Sequence, residues 1–202
     1  MSFDSEARMA QILGSPPRLE PLAQELIAEE AMVAIDRIRE LHQLDPELPV
    51  HPTFATLGKH PGLLSSFLDL GYRFLADTAL TPRHRELAIL RTGWLCGAPV
   101  EWGEHVMKAK DAGLTSGEIE RVTEGSSAPG WSEADGAILQ AVEELHAESM
   151  ISDETWAVLA RWLDDSQLIE LPMIAGHYHM VAFVQNSLRF PIRECNPGLS
   201  AR

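Results

Sequence analysis

Apolar residues recur at every third or fourth position along most of this chain, and acids, arginines and other polar residues fill the positions between them. Such spacing places the apolar side chains on one face of an α-helix. It predicts one helix over residues 21–44 and a second over residues 61–77, which Pro61 starts. No stretch alternates apolar and polar residues as a half-buried strand would.

Residues 81–113 predict two helices with a short break between them. The first begins at Thr81-Pro82 and is almost wholly apolar, and Gly97 interrupts it. The second ends at Gly113, because glycine readily takes the left-handed conformation that follows a last helical turn. This helix pair is the part of the chain that carries the candidate chemistry.

The rest of the chain predicts four more helices. Their starts are marked by capping residues: Thr115 with Glu118 as a capping box, Ser132, Ser152 or Asp153, and Asp165 or Ser166. The last helix contains Pro172, which is expected to kink it. We therefore predict an all-α fold, a helical bundle.

The length of 202 residues allows one well-buried domain and does not demand two. We predict a flexible lead-in over residues 1–19, a single helical domain over residues 20–190 with its core motif at 81–113, and a C-terminal tail over residues 191–202.

The formal net charge of -14 argues against nucleic acid or an anionic membrane surface as a partner. Arg83, Arg85 and Arg91 could still give one pocket a local positive charge for an acidic small substrate. The two cysteines, Cys96 and Cys195, form no CxxC pair, which disfavours a disulfide framework. With no secretion signal and no apolar run of membrane-spanning length, the sequence predicts a soluble cytoplasmic protein.

Three titratable residues of the helix pair are candidates for proton transfer. Glu86 lies among apolar residues on a helix that is expected to be buried, and a buried carboxylate must be paired or protonated. Glu101 and His105 are four residues apart, so they share one helix face. The alternative is that Glu86 pairs with the helix dipole or an arginine and that the other two form an exposed pair.

The same region offers candidates for substrate contact. Trp94 and Trp102 suit the apolar walls of a pocket, although they suit a core equally well. Cys96 is expected to be a small buried hydrophobe rather than a nucleophile. Arg91 is predicted to hold a substrate carboxylate.

His177 and His179 flank Tyr178 in the last helix. Because residues two apart on a helix point roughly 200° apart, these histidines cannot both face one metal ion. We expect His177 and Tyr178 to line the pocket. No metal-binding motif accompanies them, so we predict no dedicated metal site.

Three segments together resemble the carboxymuconolactone decarboxylase family, which includes the alkylhydroperoxidase D type proteins. They are RxxELAILR from Arg83, WLCGAxxEWxxH from Trp94 and AGLTxxEI from Ala112. A weaker similarity to longer members continues to Tyr178. The resemblance implies an all-helical fold that assembles as trimers or hexamers, with the active site framed by the helix pair.

In the peroxidase branch of that family the motif is an acid, then a CxxC, then a histidine. Glu86 aligns with the acid and His105 with the histidine, but the cysteine positions fall on Ala98 and Glu101. The resemblance therefore disfavours disulfide-relay chemistry. In the decarboxylase branch an acid stands four residues before the histidine, as Glu101 and His105 do here.

The favoured hypothesis is a lyase, decarboxylase or isomerase that needs no cofactor and acts on a small carboxylated or lactone-type metabolite. His105 would be the proton shuttle, Glu101 its orienting partner or a second acid–base group, and Glu86 the buried acid. Two alternatives remain: a non-catalytic oligomeric member that binds a ligand, and a thiol peroxidase-like redox protein that uses Cys96.

Overall fold

The structure, a computed structural model, describes residues 3–202, which form ten α-helices and two short 3-10 helices. It is 66% helical and has no strand within that range, so the predicted all-α fold is confirmed. The α-helices are α1 Ser5–Leu13, α2 Glu29–Leu41, α3 Pro52–Leu57, α4 Pro61–Ala76, α5 Pro82–Leu95, α6 Pro99–Asp111, α7 Ser116–Glu124, α8 Glu133–Glu148, α9 Asp153–Leu159 and α10 Asp165–Leu188. The 3-10 helices are Gln24–Leu26 and Gly198–Ser200.

The chain divides into two compact units. The larger unit comprises residues up to 15, 79–187 and 192–202, and the smaller unit comprises residues 16–78 and 188–191. A compact unit is not by itself a domain that folds alone, so the single domain over residues 20–190 stays a prediction.

In the larger unit, α5 is the central helix and packs against α6, α7 and α8. Residues 86–93 of α5 are all buried, which agrees with the nearly continuous apolar sequence of this helix. α9 packs against α8. Since α5 is surrounded, any polar side chain that it carries must find its partner inside the protein.

Two glycines end the central helices as the sequence predicts. Gly97 follows α5 with φ +52°, and Gly113 follows α6 with φ +89°. At the first, the amides of Gly97 and Ala98 donate to the carbonyls of Trp94 and Gly93, which is a Schellman motif. The chain reverses there, and Pro99 begins α6 directly.

In the smaller unit, α2 and α4 pack on a core that includes Ile35, Leu64 and Leu68. The helix predicted over residues 21–44 begins only at Glu29, so its predicted start is wrong. Tertiary contacts explain the difference: the Leu22 amide donates to the Ala55 carbonyl, and the Gln24 side chain accepts from the Val50 amide.

The predicted lead-in contains α1, which the sequence did not predict and which Asp4 caps. Arg8 donates from this helix to the carbonyls of Gly97 and Cys96 at 3.2 Å each. In the predicted tail, Leu199 is buried, and the Ala201 carbonyl accepts from the Trp102 indole at 3.1 Å. Both segments therefore contact the turn between α5 and α6 or the start of α6.

Within residues 3–202 no helix combines the length and the apolar character that crossing a membrane requires.

Candidate active site

Glu86, His105 and Glu101 form one hydrogen-bonded group, the triad. Nδ1 of His105 lies 2.7 Å from Oε2 of Glu86, and its Nε2 lies 3.0 Å from Oε1 of Glu101. Both nitrogens of a single imidazole are therefore engaged by carboxylates, one from α5 and one from α6.

Local structure accounts for this arrangement. Glu101 and His105 are one helical turn apart on α6, and Glu86 lies in the second turn of α5. The glycine turn after α5 packs the two helices together, which brings Glu86 against His105 from the facing helix. The alternative of an exposed Glu101–His105 pair is therefore wrong, and Glu86 pairs with His105 as well as with Arg85.

Burial decreases across the triad. Glu86 is 0% exposed, His105 is 2% exposed and Glu101 is 7% exposed. The sequence of contacts thus runs from a fully enclosed carboxylate, through the imidazole, to the carboxylate with the most solvent contact.

The pKa shifts of all three triad residues favour their charged forms. Burial alone would lower the pKa of His105, and Lys108 acts in the same direction, but Glu86 and Glu101 raise that pKa above its ordinary value. Burial alone would raise the pKa of each glutamate, yet His105 brings both pKa values below the ordinary one. The contacts within the triad therefore favour the charged form of all three groups.

Each carboxylate has a second donor. Nε of Arg85 donates to Oε1 of Glu86 at 2.9 Å, and Nε2 of Gln185 donates to Oε2 of Glu101 at 2.6 Å. The carbonyl oxygen Oε1 of Gln185 is buried and has no hydrogen-bond partner among residues 3–202. That oxygen can accept a hydrogen bond from a bound molecule.

Tyr178 and His177 lie close to the triad, and their predicted role in lining a pocket stays a prediction. The Tyr178 ring packs edge-on against His105, with ring centroids 5.0 Å apart. Burial lowers the pKa of His177 to about 4, and the nearby charge of Glu101 only partly opposes this. His177 is thus a neutral imidazole at physiological pH.

The remaining predicted contacts lie elsewhere in the larger unit. Nη1 of Arg91 donates to the carbonyls of Val122 and Thr123, and its Nε lies 2.9 Å from Oε1 of Glu143. The guanidinium therefore ties α5 to the end of α7 and to α8. Its predicted role as a carboxylate clamp stays a prediction that would require these contacts to be exchanged.

Trp94, Trp102 and Cys96 have mainly structural surroundings. The two indoles pack together with centroids 5.0 Å apart, and Trp102 is fully buried. Cys96 follows the last turn of α5, and burial raises its pKa to about 11 although Arg8 opposes the shift. It is a protonated thiol at neutral pH, but the residue is only partly buried, unlike the small buried hydrophobe that the sequence predicted.

Gln185 was missed by the sequence analysis. It lies on α10, two helical turns beyond His177 and Tyr178, so helical spacing from those residues could have suggested it. Arg85 was noted only as a source of positive charge, because the sequence does not show which arginine meets Glu86.

Residues 61–144 match the model of the carboxymuconolactone decarboxylase family, and this range holds α4 to α7, most of α8 and the whole triad. Residues 61–144 therefore form a region of the carboxymuconolactone decarboxylase family. The prediction made from the three sequence segments is confirmed. No curated protein matches the chain in sequence.

Three solved structures share the fold of this chain at low sequence identity. The debrominase Bmp8, solved with 2,3,4-tribromopyrrole and one cysteine replaced by alanine, has a TM-score of 0.72 at 15% identity and covers 89% of this chain and 94% of its own. An uncharacterised peroxidase-related protein from Silicibacter sp. TM1040 has a TM-score of 0.71 at 12% identity, covering 89% and 95%. A protein of unknown function from Agrobacterium tumefaciens, described as a candidate AhpD antioxidant protein, has a TM-score of 0.62 at 18% identity, covering 67% and 93%.

The family match over residues 61–144 is consistent with an enzymatic role, but the names of the similar structures refer to different reactions. At such identities the likeness establishes the fold alone. The reaction has to be argued from the triad.

Proposed function

We propose that this protein is an acid–base enzyme, a lyase, decarboxylase or isomerase, that needs no cofactor and acts on a small carboxylated or lactone-type metabolite. The observation that carries the proposal is the imidazole of His105 held by a carboxylate at each nitrogen. A positioned histidine flanked by carboxylates is a means of moving protons in either direction.

Glu101 is the group that exchanges a proton with the substrate, because it is the most exposed member of the triad. His105 supplies a proton to Glu101 through Nε2 and takes one back, and Glu86 fixes the ring and stabilises its positive charge. The sequence-based hypothesis gave the shuttle role to His105 and left Glu101 as its orienting partner or a second acid–base group. The exposure of Glu101 favours the second of these roles.

The two reaction types use this relay differently. In an isomerisation, the Glu101 carboxylate removes a proton from a carbon beside a carbonyl and returns it to another carbon. In a decarboxylation, the substrate carboxylate leaves as carbon dioxide, its electron pair moves into the adjoining carbonyl, and a proton from His105 reaches the carbon through Glu101. Arg85 places positive charge against the triad and can balance such an anionic substrate.

The thiol peroxidase alternative is weakened by the state of Cys96. Peroxide reduction needs a thiolate, and burial raises the pKa of this thiol to about 11. The other cysteine, Cys195, is exposed and free. The chain has no second thiol at the relay position, where Glu101 stands.

The family resemblance implies a trimer or hexamer, and we propose that the subunits associate through an exposed apolar face of α10. Ile169, Met173 and Phe183 are 63%, 52% and 62% exposed and lie on the same side of the helix. Light scattering of the purified protein should give a mass above that of one chain. Phe183→Asp should reduce that mass, and a monomeric wild-type protein would contradict the inference.

The triad is tested in two stages. First, a panel of small carboxylates and lactones is screened for compounds that raise the melting temperature, since a ligand of the folded state stabilises it by mass action. Compounds that bind are then incubated with the enzyme in D2O, and carbon-bound deuterium and released carbon dioxide are measured.

Glu101→Gln and His105→Gln should each lower deuterium incorporation by at least about 100-fold. The exposed Glu124→Gln is the matched control and should exchange as the wild type does. Normal exchange in the folded triad variants would refute the mechanism. A compound that binds but is neither exchanged nor converted by any form of the protein would favour the non-catalytic ligand-binding alternative.

A further inference from the structure

Three side chains with metal-binding atoms meet at a second place in the larger unit. Cys96 comes from the end of α5, His146 from α8 and His179 from α10. One ligand atom from each lies within 4.8 Å of the other two. None of these residues takes part in the triad.

The two histidines are already oriented towards a common point. Nδ1 of His146 lies 2.9 Å from Nε2 of His179, and the ring centroids are 5.2 Å apart. Nδ1 of His179 lies 2.8 Å from the Ala175 carbonyl oxygen. That oxygen can only accept, so Nδ1 carries the hydrogen and Nε2 presents its lone pair to His146.

This orientation is the one that metal-binding histidines use. Such a histidine donates its second ring N–H to a carboxylate or a backbone carbonyl, which fixes the tautomer and aims the other nitrogen at the ion. His179 on Ala175 fits that description.

The spacing of the ligand atoms is close to what a tetrahedral ion requires. Zn–N distances of 2.0–2.1 Å and a Zn–S distance of 2.3 Å imply separations of about 3.4 Å between nitrogens and about 3.6 Å between nitrogen and sulfur. The observed distance of 2.9 Å between Nδ1 of His146 and Nε2 of His179 must increase slightly when an ion binds. The upper limit of 4.8 Å for the group leaves an adjustment of about an ångström, within the reach of side-chain rotation.

The backbone that carries Cys96 is held in place. Its carbonyl oxygen accepts from Nη2 of Arg8 and from Nδ2 of Asn186, each at 3.2 Å. Two donors on one carbonyl fix the end of α5, and the position from which the thiol reaches the histidines is fixed with it.

We propose that Cys96, His146 and His179 form a binding site for a divalent transition metal of the zinc type, with a fourth coordination position open to water or another ligand. One thiolate and two imidazoles suit Zn²⁺, whereas Mg²⁺ and Ca²⁺ prefer oxygen ligands. Three protein ligands with an open position are typical of zinc sites that bind exogenous groups.

Binding has a defined proton balance. The Cys96 thiol loses its proton to solvent, and the His146–His179 hydrogen bond breaks. His146 then carries its proton on Nε2 and binds the ion through Nδ1. His179 keeps its proton on Nδ1, donated to the Ala175 carbonyl, and binds the ion through Nε2. One proton is released for each ion bound. Burial lowers the pKa of His146, which agrees with the neutral ring that a ligand must be.

The sequence predicted no metal site because its members are far apart in the chain and form no motif. The argument that His177 and His179 cannot share an ion agrees with the structure. His177 lies near the triad, and His179 lies in this cluster. The proposal is independent of the acid–base function, since no step of that mechanism uses the ion.

The test uses full-length protein without a histidine tag, in which Cys195→Ser removes the exposed second thiol and serves as the reference. Co²⁺ titration should give thiolate-to-cobalt charge-transfer absorption that saturates at one equivalent. Zn²⁺ should abolish this absorption by displacement and raise the melting temperature, and Mg²⁺ should do neither. Calorimetry in buffers of different ionisation enthalpy should report one proton released.

Cys96→Ser, His146→Gln and His179→Gln, each in the reference background, should weaken Zn²⁺ binding by at least about 100-fold, beyond the usual effect of losing an outer-shell partner. His60→Asn, at the start of α4, should bind as the reference does. Absence of the charge-transfer absorption from the folded reference protein would overturn the proposal without any need for the ligand variants to fold. Unchanged affinity in Cys96→Ser would overturn it as well.

Discussion

The side-chain amide of Gln185 donates to Oε2 of Glu101 at 2.6 Å, while the other oxygen of that carboxylate contacts His105. A residue of α10 thus contributes to the pKa shift of a glutamate on α6. The hydrogen bond favours the charged carboxylate and adds to the lowering of its pKa by His105. In the proposed mechanism this keeps Glu101 ready to accept a proton.

Gln185→Met should raise the pKa of Glu101, because the charged form loses a donor while its burial persists. The side-chain carboxyl signals of protein labelled with ¹³C-glutamate report this titration by NMR. Gln167→Met is the control on the same helix, since Gln167 bonds to the Ala79 carbonyl and the Asp164 amide. An unchanged Glu101 titration in Gln185→Met would show that this hydrogen bond does not tune the site.

His105 should stabilise the protein at neutral pH and lose this effect in alkali. Its pKa in the folded state lies above the ordinary 6.5, so its contribution is full below about pH 6.5 and is lost as the pH rises through the raised pKa. Urea unfolding between pH 6 and pH 10 should show a declining free energy of unfolding that His105→Gln abolishes. His60→Asn should retain the decline, and an identical decline in His105→Gln would contradict the assignment.

His177 should have the opposite effect on the pH dependence of stability, because its pKa is lowered in the folded protein. Burial lowers its pKa from 6.5 to about 4. Between pH 6.5 and pH 4 the unfolded chain therefore binds a proton at His177 that the folded protein does not bind. Stability therefore falls as the pH drops through this window, by at most about 3 kcal/mol. His177→Gln should flatten this part of the curve in urea unfolding. A slope equal to that of the wild type would mean that His177 titrates normally when folded.

Gly103→Ala should destabilise the protein by about 2–4 kcal/mol, as overpacking and broken buried hydrogen bonds do. An added Cβ would lie 1.7 Å from Oδ1 of Asn196. That side chain cannot move aside freely, because it accepts from the Gly198 amide and donates to the Val100 carbonyl. Thermal and urea unfolding measure the change.

The control for this substitution is Gly117→Ala in α7, where a Cβ would meet nothing within 4 Å. It should be neutral or stabilising by up to about 1 kcal/mol, because alanine favours a helix over glycine. If Gly103→Ala were equally harmless, the C-terminal segment would not be fixed to α6 as the structure shows.

Local signals predicted most of the helix ends. The capping box of Thr115 and Glu118 and the caps at Ser132 and Ser152 all form as expected. Gly113 takes the left-handed conformation that its place after α6 suggested. These features depend on a few neighbouring residues, and sequence spacing is sufficient to recognise them.

The start of α2 and the presence of α1 depend on distant contacts. Residues 22 and 24 pair with the segment around α3 instead of extending the helix, and Arg8 fixes α1 on the turn that follows α5. Helical periodicity does not reveal these competing tertiary contacts, because it depends only on the pattern of residues along the chain.

The candidate site likewise combines residues that local spacing predicts with residues that only tertiary packing brings together. The Glu101–His105 pair follows from spacing on one helix, and Glu86 was joined to it only by resemblance to a family. Gln185 comes from a helix far along the chain, as do His146 and His179 in the metal cluster. Contacts of this kind arise from packing, and a single sequence does not encode them as a readable motif.

The replacement of a thiol position by Glu101 changes what the site needs from its surroundings. A relay built on cysteines is oxidised to a disulfide in each turnover and must be reduced before the next one. In the proposed mechanism the Glu86–His105–Glu101 group, which contains no sulfur, exchanges only protons, so water alone returns it to its starting state. Oxidising and reducing conditions should leave this chemistry the same.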